Sequence, residues 1–98
     1  MKPDKVSNIK LFLLIEASKL ANDKVVIDTW EAETATKMLE VYESRKKWND
    51  ENEELYSMRT TFQFRKIELY SYSQSVHAWF STLEQVKEYA DAELKEIS

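Results

Sequence analysis

The chain has 98 residues, no glycine, no cysteine, one proline and a net charge of −4. Without cysteine it has no disulfide framework, thiol nucleophile or thiolate metal site, which fits a reducing compartment, and we expect a cytoplasmic protein. About seven glycines would be expected at average usage, and their absence disfavours the turns and bulges of β-sheets. The longest apolar run, Leu11 to Ile15, is far shorter than the ~20 residues of a membrane span.

The N-terminal segment predicts a first helix over about residues 4–21. Pro3 stands at its entry, where a missing backbone N–H is tolerated. Apolar residues then recur at helical spacing up to Leu20. Asn22 and Asp23 end the helix because their short side chains compete for backbone hydrogen bonds.

A second helix is predicted over about residues 28–48. Asp28 followed by Glu31 has the spacing of a capping box, which satisfies free backbone donors at a helix start. Its inward face carries Ala35, Met38, Leu39 and Tyr42.

The remaining residues, about 51–97, show a seven-residue repeat of apolar positions that predicts one long helix, with a possible break near residues 71–75. Such a heptad pattern is typical of a helix that packs along an apolar seam. This seam, a site of core packing or self-association, consists of Leu55, Phe62, Leu69, Tyr72, Val76, Trp79 and Leu83.

A strand is the alternative for residues 60–73, because Phe62, Phe64, Leu69 and Tyr72 are types that favour β-structure. The alternation changes phase at Arg65 and the segment has no glycine to close a hairpin. We therefore expect an all-α single domain, a three- to four-helix bundle with a long or kinked C-terminal heptad-patterned helix.

No motif in the sequence supports catalysis, a metal site or a cofactor. His77 has Ser73 and Ser81 four residues away on either side, but a helix surface offers neither an orienting third group nor an oxyanion hole. The acidic run from Asp50 to Glu54 lacks the glycine and spacing of a calcium loop. We expect no catalytic residue, no metal ligand and no enzyme activity.

The aromatic pattern favours a protein-binding function. Phe64, Ile67 and Tyr70 lie off the heptad seam, so a helix here would be apolar on two sides. We expect a small adaptor, regulator or inhibitor that docks on another protein through this aromatic helix surface and that forms a homodimer or higher oligomer. Small acidic helical chains of this kind are also plausible as virus- or plasmid-encoded inhibitors.

Two other functions stay open. A structural or assembly protein that forms a helical oligomer would use the same seam. A nucleic-acid-binding accessory protein would use a basic patch at the bend between the second and third helices, where cations could hold phosphates. That patch would consist of Arg45, Lys46, Lys47, Arg59, Arg65 and Lys66.

Overall fold

The computed structural model describes residues 8–70 and 75–97, which form a four-stranded antiparallel sheet with two helices on one of its faces. The all-α prediction is therefore wrong. The strands have the order β2-β1-β3-β4 across the sheet. Along the chain the elements are β1 (Asn8–Leu20), β2 (Val25–Ala32), α1 (Ala35–Glu51), a short 3-10 helix (Glu53–Leu55), β3 (Tyr56–Tyr70), β4 (Ser75–Ser81) and α2 (Leu83–Ile97).

The first predicted helix is wrong because its residues form β1, a central strand of the sheet. Phe12, Leu14 and Glu16 are buried under the helices, while Leu13 and Ile15 point to the opposite face and are half-buried. A central strand that is apolar on both faces shows no polar alternation. Its run of apolar residues is therefore also compatible with a helix that has a wide apolar face.

The second predicted helix is correct only in its later part. Asp28 to Ala32 belong to β2, which pairs antiparallel with β1. The three β-branched residues before Asp28 already favour a strand. The cap of α1 is Thr34, whose side chain accepts a hydrogen bond from the Lys37 backbone N–H at 3.1 Å.

The hairpin between β1 and β2 closes without glycine. Asp23 takes a φ of 67°, in the left-handed region that Asp and Asn tolerate better than most residues. The Asn22 side chain accepts a hydrogen bond from the Lys24 backbone N–H at 3.1 Å. The absence of glycine was therefore a poor argument against a sheet, because Asn and Asp supply the turn.

The long heptad helix is wrong, and with it the coiled-coil seam. Seven is an odd number, so residues seven apart on one strand point to opposite faces. Phe62 lies under the helices, whereas Leu69 lies on the other face, directly opposite Val76 of β4. The strand alternative is correct for residues 60–70. Tyr72 and residues 71–74 of the predicted break lie outside the described residues.

The core lies between the helices and the face of the sheet that they cover. Tyr42 of α1 stands edge-on to Phe62, with ring centroids 5.3 Å apart, and tilted to Phe64 at 5.2 Å. The start of α2 has a reciprocal cap, in which the Thr82 side chain accepts from the Gln85 N–H and the Gln85 side chain accepts from the Thr82 N–H. The fully packed apolar residues are Phe12, Leu14, Ala32, Ala35, Met38, Phe64, Val86 and Ala90.

The molecule is long and thin, with principal extents of 59 × 32 × 15 Å. Its radius of gyration is 16.4 Å, against about 13 Å for a compact domain of this length. The smallest extent corresponds to one sheet layer plus one helix layer. Among residues 8–70 and 75–97, neither helix has the length and apolar character needed to cross a bilayer.

Candidate protein-docking face

The face of the sheet opposite the helices carries apolar side chains from all four strands. No described element packs on it. Antiparallel pairing places directly opposite residues on the same face, so the strand register defines its members. We call it the helix-free face, and its central part consists of Leu11, Leu13, Ile15, Ala17, Ile27, Glu31, Arg65, Ile67, Leu69, Val76, Ala78 and Phe80.

Large apolar side chains on this face are mostly exposed, among them Ile27 at 65%, Val76 at 64% and Phe80 at 69%. Single exposed apolar residues are ordinary on protein surfaces, but a contiguous apolar patch marks an interaction site. Between these residues lie the half-buried Leu11 and Ile67, which are paired in register on β1 and β3. The apolar patch is therefore continuous along β1 and across β3 to β4, while the polar Thr29 and Gln63 flank Ile15 on the side of Ile27.

One row of this face carries opposite charges on either side of its centre. Leu13 pairs with Glu31 on β2 and with Arg65 on β3, and Arg65 pairs in turn with Phe80 on β4. Glu31 and Arg65 stand two strands apart, about 10 Å by the usual strand spacing. From β2 to β4, this row therefore consists of the acidic Glu31, the apolar Leu13, the basic Arg65 and the aromatic Phe80.

Arg65 lies against the ring of Phe80. Its guanidinium carbon is 4.5 Å from the ring centroid, a cation–π arrangement that directs the charged group towards β4. Among the described residues, the Nε of Arg65 is the one buried side-chain nitrogen or oxygen without a hydrogen-bond partner. This guanidinium therefore keeps donor capacity that the isolated chain does not use.

The other face of the sheet holds a buried carboxylate, Glu16, whose residue is 1% exposed. Arg45 of α1 donates to both of its oxygens, from Nε at 2.7 Å and from Nη2 at 3.0 Å. Trp30 Nε1 donates at 3.1 Å and Asn49 Nδ2 at 3.0 Å. The Asn49 side-chain oxygen accepts from the Thr60 hydroxyl at 2.7 Å. We call these five residues the Glu16 cluster.

Two tryptophans enclose the cation of this cluster. The guanidinium carbon of Arg45 is 4.8 Å from the ring of Trp30 and 4.8 Å from that of Trp48. Trp48 in turn meets Tyr56 edge-on, with ring centroids 6.2 Å apart. Arg45 is held by stacking as well as by charge, a geometry that lysine cannot reproduce.

The surroundings shift the pKa values of this cluster. Burial acts to raise the pKa of Glu16, but hydrogen bonds from Arg45, Asn49 and Trp30 and the charge of Arg45 outweigh it and lower the pKa below its usual value. The hydrogen bond to Glu16 raises the pKa of Arg45. Burial, helped by the charge of Glu16, raises the pKa of Tyr56. Glu16 therefore stays ionised and saturated with donors, which suits structure and not proton transfer.

An open groove of about 820 Å³ lies beside this cluster, between α1 and the start of β3. Asn49 and Thr60 of the Glu16 cluster also line it. Acidic side chains (Asp50, Glu53 and Glu54) and basic ones (Lys46 and Arg59) line it together. Because charges of both signs line the groove, it has no electrostatic field of one sign that would concentrate a charged ligand.

The predicted docking residues Phe64, Ile67 and Tyr70 do not form one surface. Phe64 is 6% exposed and belongs to the core, whereas Ile67 lies on the helix-free face. Tyr70 ends β3, and its side chain lies outside what the structure describes. Neighbouring residues on a strand alternate between its two faces, so residues that would share one surface of a helix do not share one face of a strand.

The predicted seam residues are distributed in the same way. Phe62 and Leu83 pack against the core. Leu69 and Val76 share the helix-free face. Leu55, at 46%, and Trp79, at 44%, are exposed elsewhere.

The six cations of the predicted nucleic-acid patch lie in separate places. Arg45 is engaged by Glu16, and Lys66 forms an ion pair with Glu68 at 3.0 Å beneath α2. Arg65 is on the helix-free face. Lys46 and Arg59 line the groove, and Lys47 is exposed on α1. Nucleic-acid binding stays a prediction, now without a single patch to carry it.

His77 stands on β4 and stacks on Trp79, with ring centroids 5.8 Å apart and planes 17° apart. Within residues 8–70 and 75–97 no group of three or more His, Asp or Glu residues is placed to hold a metal ion.

Sequence reasoning missed the helix-free face, although one signal pointed to it. Residues 25–31 place Val25, Ile27, Thr29 and Glu31 at alternate positions, which is the period of a strand. The capping box predicted for Glu31 is wrong, because Glu31 belongs to β2. The pairing with Leu13 that gives Glu31 its significance is a long-range contact that no local pattern contains.

Comparisons of the chain with protein-family models, with curated proteins and with solved structures gave no match.

Proposed function

We propose that this protein is a small protein-binding module, without a catalytic step, whose docking surface is the helix-free face. The observation that carries the proposal is that both helices cover the same face of the sheet and leave a largely apolar face opposite. This keeps the protein-binding function that the aromatic pattern of the sequence favours but moves it from a helix surface to a sheet.

The energetics of apolar exposure support the proposal. Burying one large apolar side chain contributes about 1.5–3 kcal/mol, and the exposed Ile27, Val76 and Phe80 gain little of this in the isolated chain. The neighbouring Leu11, Leu13 and Ile15 retain partial exposure. A partner that covers them all gains several such contributions at once.

The chemistry of the face favours a protein as its occupant. It combines apolar side chains with one acidic and one basic residue in its central row, Glu31 and Arg65. Interfaces between proteins combine an apolar centre with a few oriented polar groups. An adaptor, a regulator or an inhibitor would use such a face, and the cytoplasmic location expected from the cysteine-free sequence stays part of the proposal.

Site-specific photo-crosslinking tests the proposal. A benzophenone amino acid replaces Phe80 or Ile27 on the helix-free face, and Glu40, 67% exposed on α1, serves as the matched control. We expect defined protein adducts from positions 80 and 27 in native cells or with purified protein, and none of the same mass from position 40. Equal adducts at all three positions, or none at positions 27 and 80, would overturn the proposal.

A further inference from the structure

We infer that the occupant of the helix-free face is a second copy of this chain, related by a twofold axis that runs parallel to the strands between β1 and β3. In this arrangement Glu31 of each copy meets Arg65 of the other. The inference rests on the proposed function and deepens it by naming the partner.

The order of the strands determines which residues meet. A twofold axis between β1 and β3 exchanges the two sides of the sheet, so β2 of one copy lies over β4 of the other along the rows that both strands occupy, those of Phe12 to Leu14. The rotation keeps each residue at its position along the strand direction, so Glu31 of one copy lies opposite Phe80 of the other. In that other copy the Arg65 guanidinium lies over the Phe80 ring, with its carbon 4.5 Å from the ring centroid. Two sheets packed face to face stand ~10 Å apart, a gap that a glutamate and an arginine bridge together.

The charge pattern selects this axis over the perpendicular one. A twofold axis that crosses the strands at the same row would place Glu31 over Glu31 and Arg65 over Arg65. Like charges held together in an apolar interface disfavour that dimer. With the axis along the strands, two symmetry-related ion pairs form, as a closed twofold interface requires.

The overlap of the two faces suits a weak dimer. β1 and β3 overlap along their length, whereas β2 and β4 share only the rows of Phe12 to Leu14. Strands spaced ~4.8 Å apart with ~3.3 Å per residue give this overlap a projected area of roughly 500 Å². Specific protein interfaces bury about 600–1,000 Å² on each partner, and an overlap just below that range is typical of a weak association.

The rows on either side of the charged row differ in polarity. One consists of the apolar Leu11, Ile67 and Ala78, whereas in the other Ile15 stands between Thr29 and Gln63. Stacking would therefore exclude water from the ion pairs chiefly on the side of Ile67. Arg65 also has the one described buried nitrogen without a hydrogen-bond partner. A carboxylate from the second copy supplies an acceptor beside a guanidinium that lacks one in its own chain.

Complementary charge reversal tests the inference. Wild type, Glu31→Arg and Arg65→Glu are measured by sedimentation equilibrium, separately and as an equimolar mixture of the two variants. Each variant alone sets like charges against each other, and we expect its dimer to dissociate at least about tenfold more readily than wild type. In the mixture one subunit carries two positive groups and the other two negative groups, so both ion pairs re-form in a heterodimer of near wild-type affinity.

Controls keep the test decisive. Circular dichroism verifies that each variant folds, and Arg65→Leu, which retains an apolar stem against Phe80, replaces Arg65→Glu if the latter unfolds; we then expect about tenfold weaker dimerisation. A wild type that is monomeric throughout the micromolar range, or folded variants whose mixture recovers no dimer, would overturn the inference. Crosslinks from positions 27 and 80 to a different protein would overturn only the second copy as occupant and leave the proposed function standing.

Discussion

At the scale of single residues, Glu16 shows how a charge can lie inside this small fold. It accepts hydrogen bonds from Trp30, Arg45 and Asn49, which come from β2 and from two successive turns of α1. A buried ion is tolerated only when paired and hydrogen-bonded in this way. The Glu16 cluster therefore fixes the position of α1 on the sheet.

Replacing Glu16 by glutamine tests this role. Glu16→Gln keeps the volume but removes the charge, leaving Arg45 without its partner, and we expect the free energy of unfolding to fall by about 1–3 kcal/mol. Urea denaturation near neutral pH measures the loss. Glu40→Gln, at an exposed position on α1, is the control and should change stability by less than about 0.5 kcal/mol. Equal effects of the two substitutions would contradict a structural role for the cluster.

The difference in stability between wild type and Glu16→Gln depends on pH, and its direction follows from the pKa of Glu16. The pKa of Glu16 is lower in the folded protein than its usual value, so its charge contributes stability above the unfolded pKa of about 4.5. That contribution is lost as the pH falls through the folded pKa. We therefore expect the difference between wild type and Glu16→Gln to shrink from about pH 7 to about pH 3, and a difference that grows with acid would contradict the assignment.

The interaction partners of single residues were the least predictable feature of the sequence. The sequence predicts Arg45 in a phosphate-binding patch, yet in the structure Arg45 lies between Trp30 and Trp48 and pairs with Glu16. These partners are 15, 3 and 29 positions away in sequence, and only the folded chain brings the distant ones together. Charge type is visible in a sequence, whereas the partner that neutralises it depends on tertiary structure.

At the scale of elements, the start of α1 depends on a residue of α2. Glu93 accepts hydrogen bonds from the backbone N–H groups of Ala35 and Thr36, at 2.7 Å and 2.9 Å, and from the Thr36 hydroxyl at 2.8 Å. Burial acts to raise the pKa of Glu93, but these hydrogen bonds outweigh it and lower the pKa. A carboxylate at this end also complements the helix dipole. Glu93 thus joins the two helices.

Substituting Glu93 tests this connection. Glu93→Gln retains one acceptor but loses the charge, and we expect a loss of about 1 kcal/mol in the free energy of unfolding. Glu96→Gln, exposed on the same helix, is the matched control and should lie within about 0.5 kcal/mol of wild type. Thermal denaturation of both variants measures the difference. A Glu93→Gln protein as stable as the control would show that α1 begins independently of α2.

The elements differ in how far the sequence could predict them. Most of α1 was found because Ala35, Met38 and Tyr42 repeat at a helical period. β1 was missed because both of its faces are apolar, and β3 because its bulge and its charged Arg65 disturb the alternation. Local propensity in these segments is compatible with both a helix and a strand. The pairing of the four strands, which is a long-range interaction, selects the strand.

At the scale of the whole molecule, the fold has two layers and an apolar outer surface on one of them. The helices cover one face of the sheet, and the chain is only 15 Å thick along its shortest axis. A second sheet stacked on the helix-free face would complete a symmetric four-layer structure of helix, sheet, sheet and helix. The seven-residue spacing that predicted a self-associating rod was wrong, yet Leu69 and Val76 from that set lie side by side on this face.

The absence of cysteine makes thiol labelling the most direct test of whether a second copy covers this face. Ile15→Cys on β1 and Ile67→Cys on β3 place single thiols beside the proposed twofold axis, and Glu40→Cys places one on the exposed side of α1. Maleimide reaction rates are measured over a range of protein concentrations. We predict that the rates at positions 15 and 67 fall at least about tenfold as dimer forms while the rate at position 40 stays constant. Rates at positions 15 and 67 that do not change with concentration would show that no second copy covers the helix-free face.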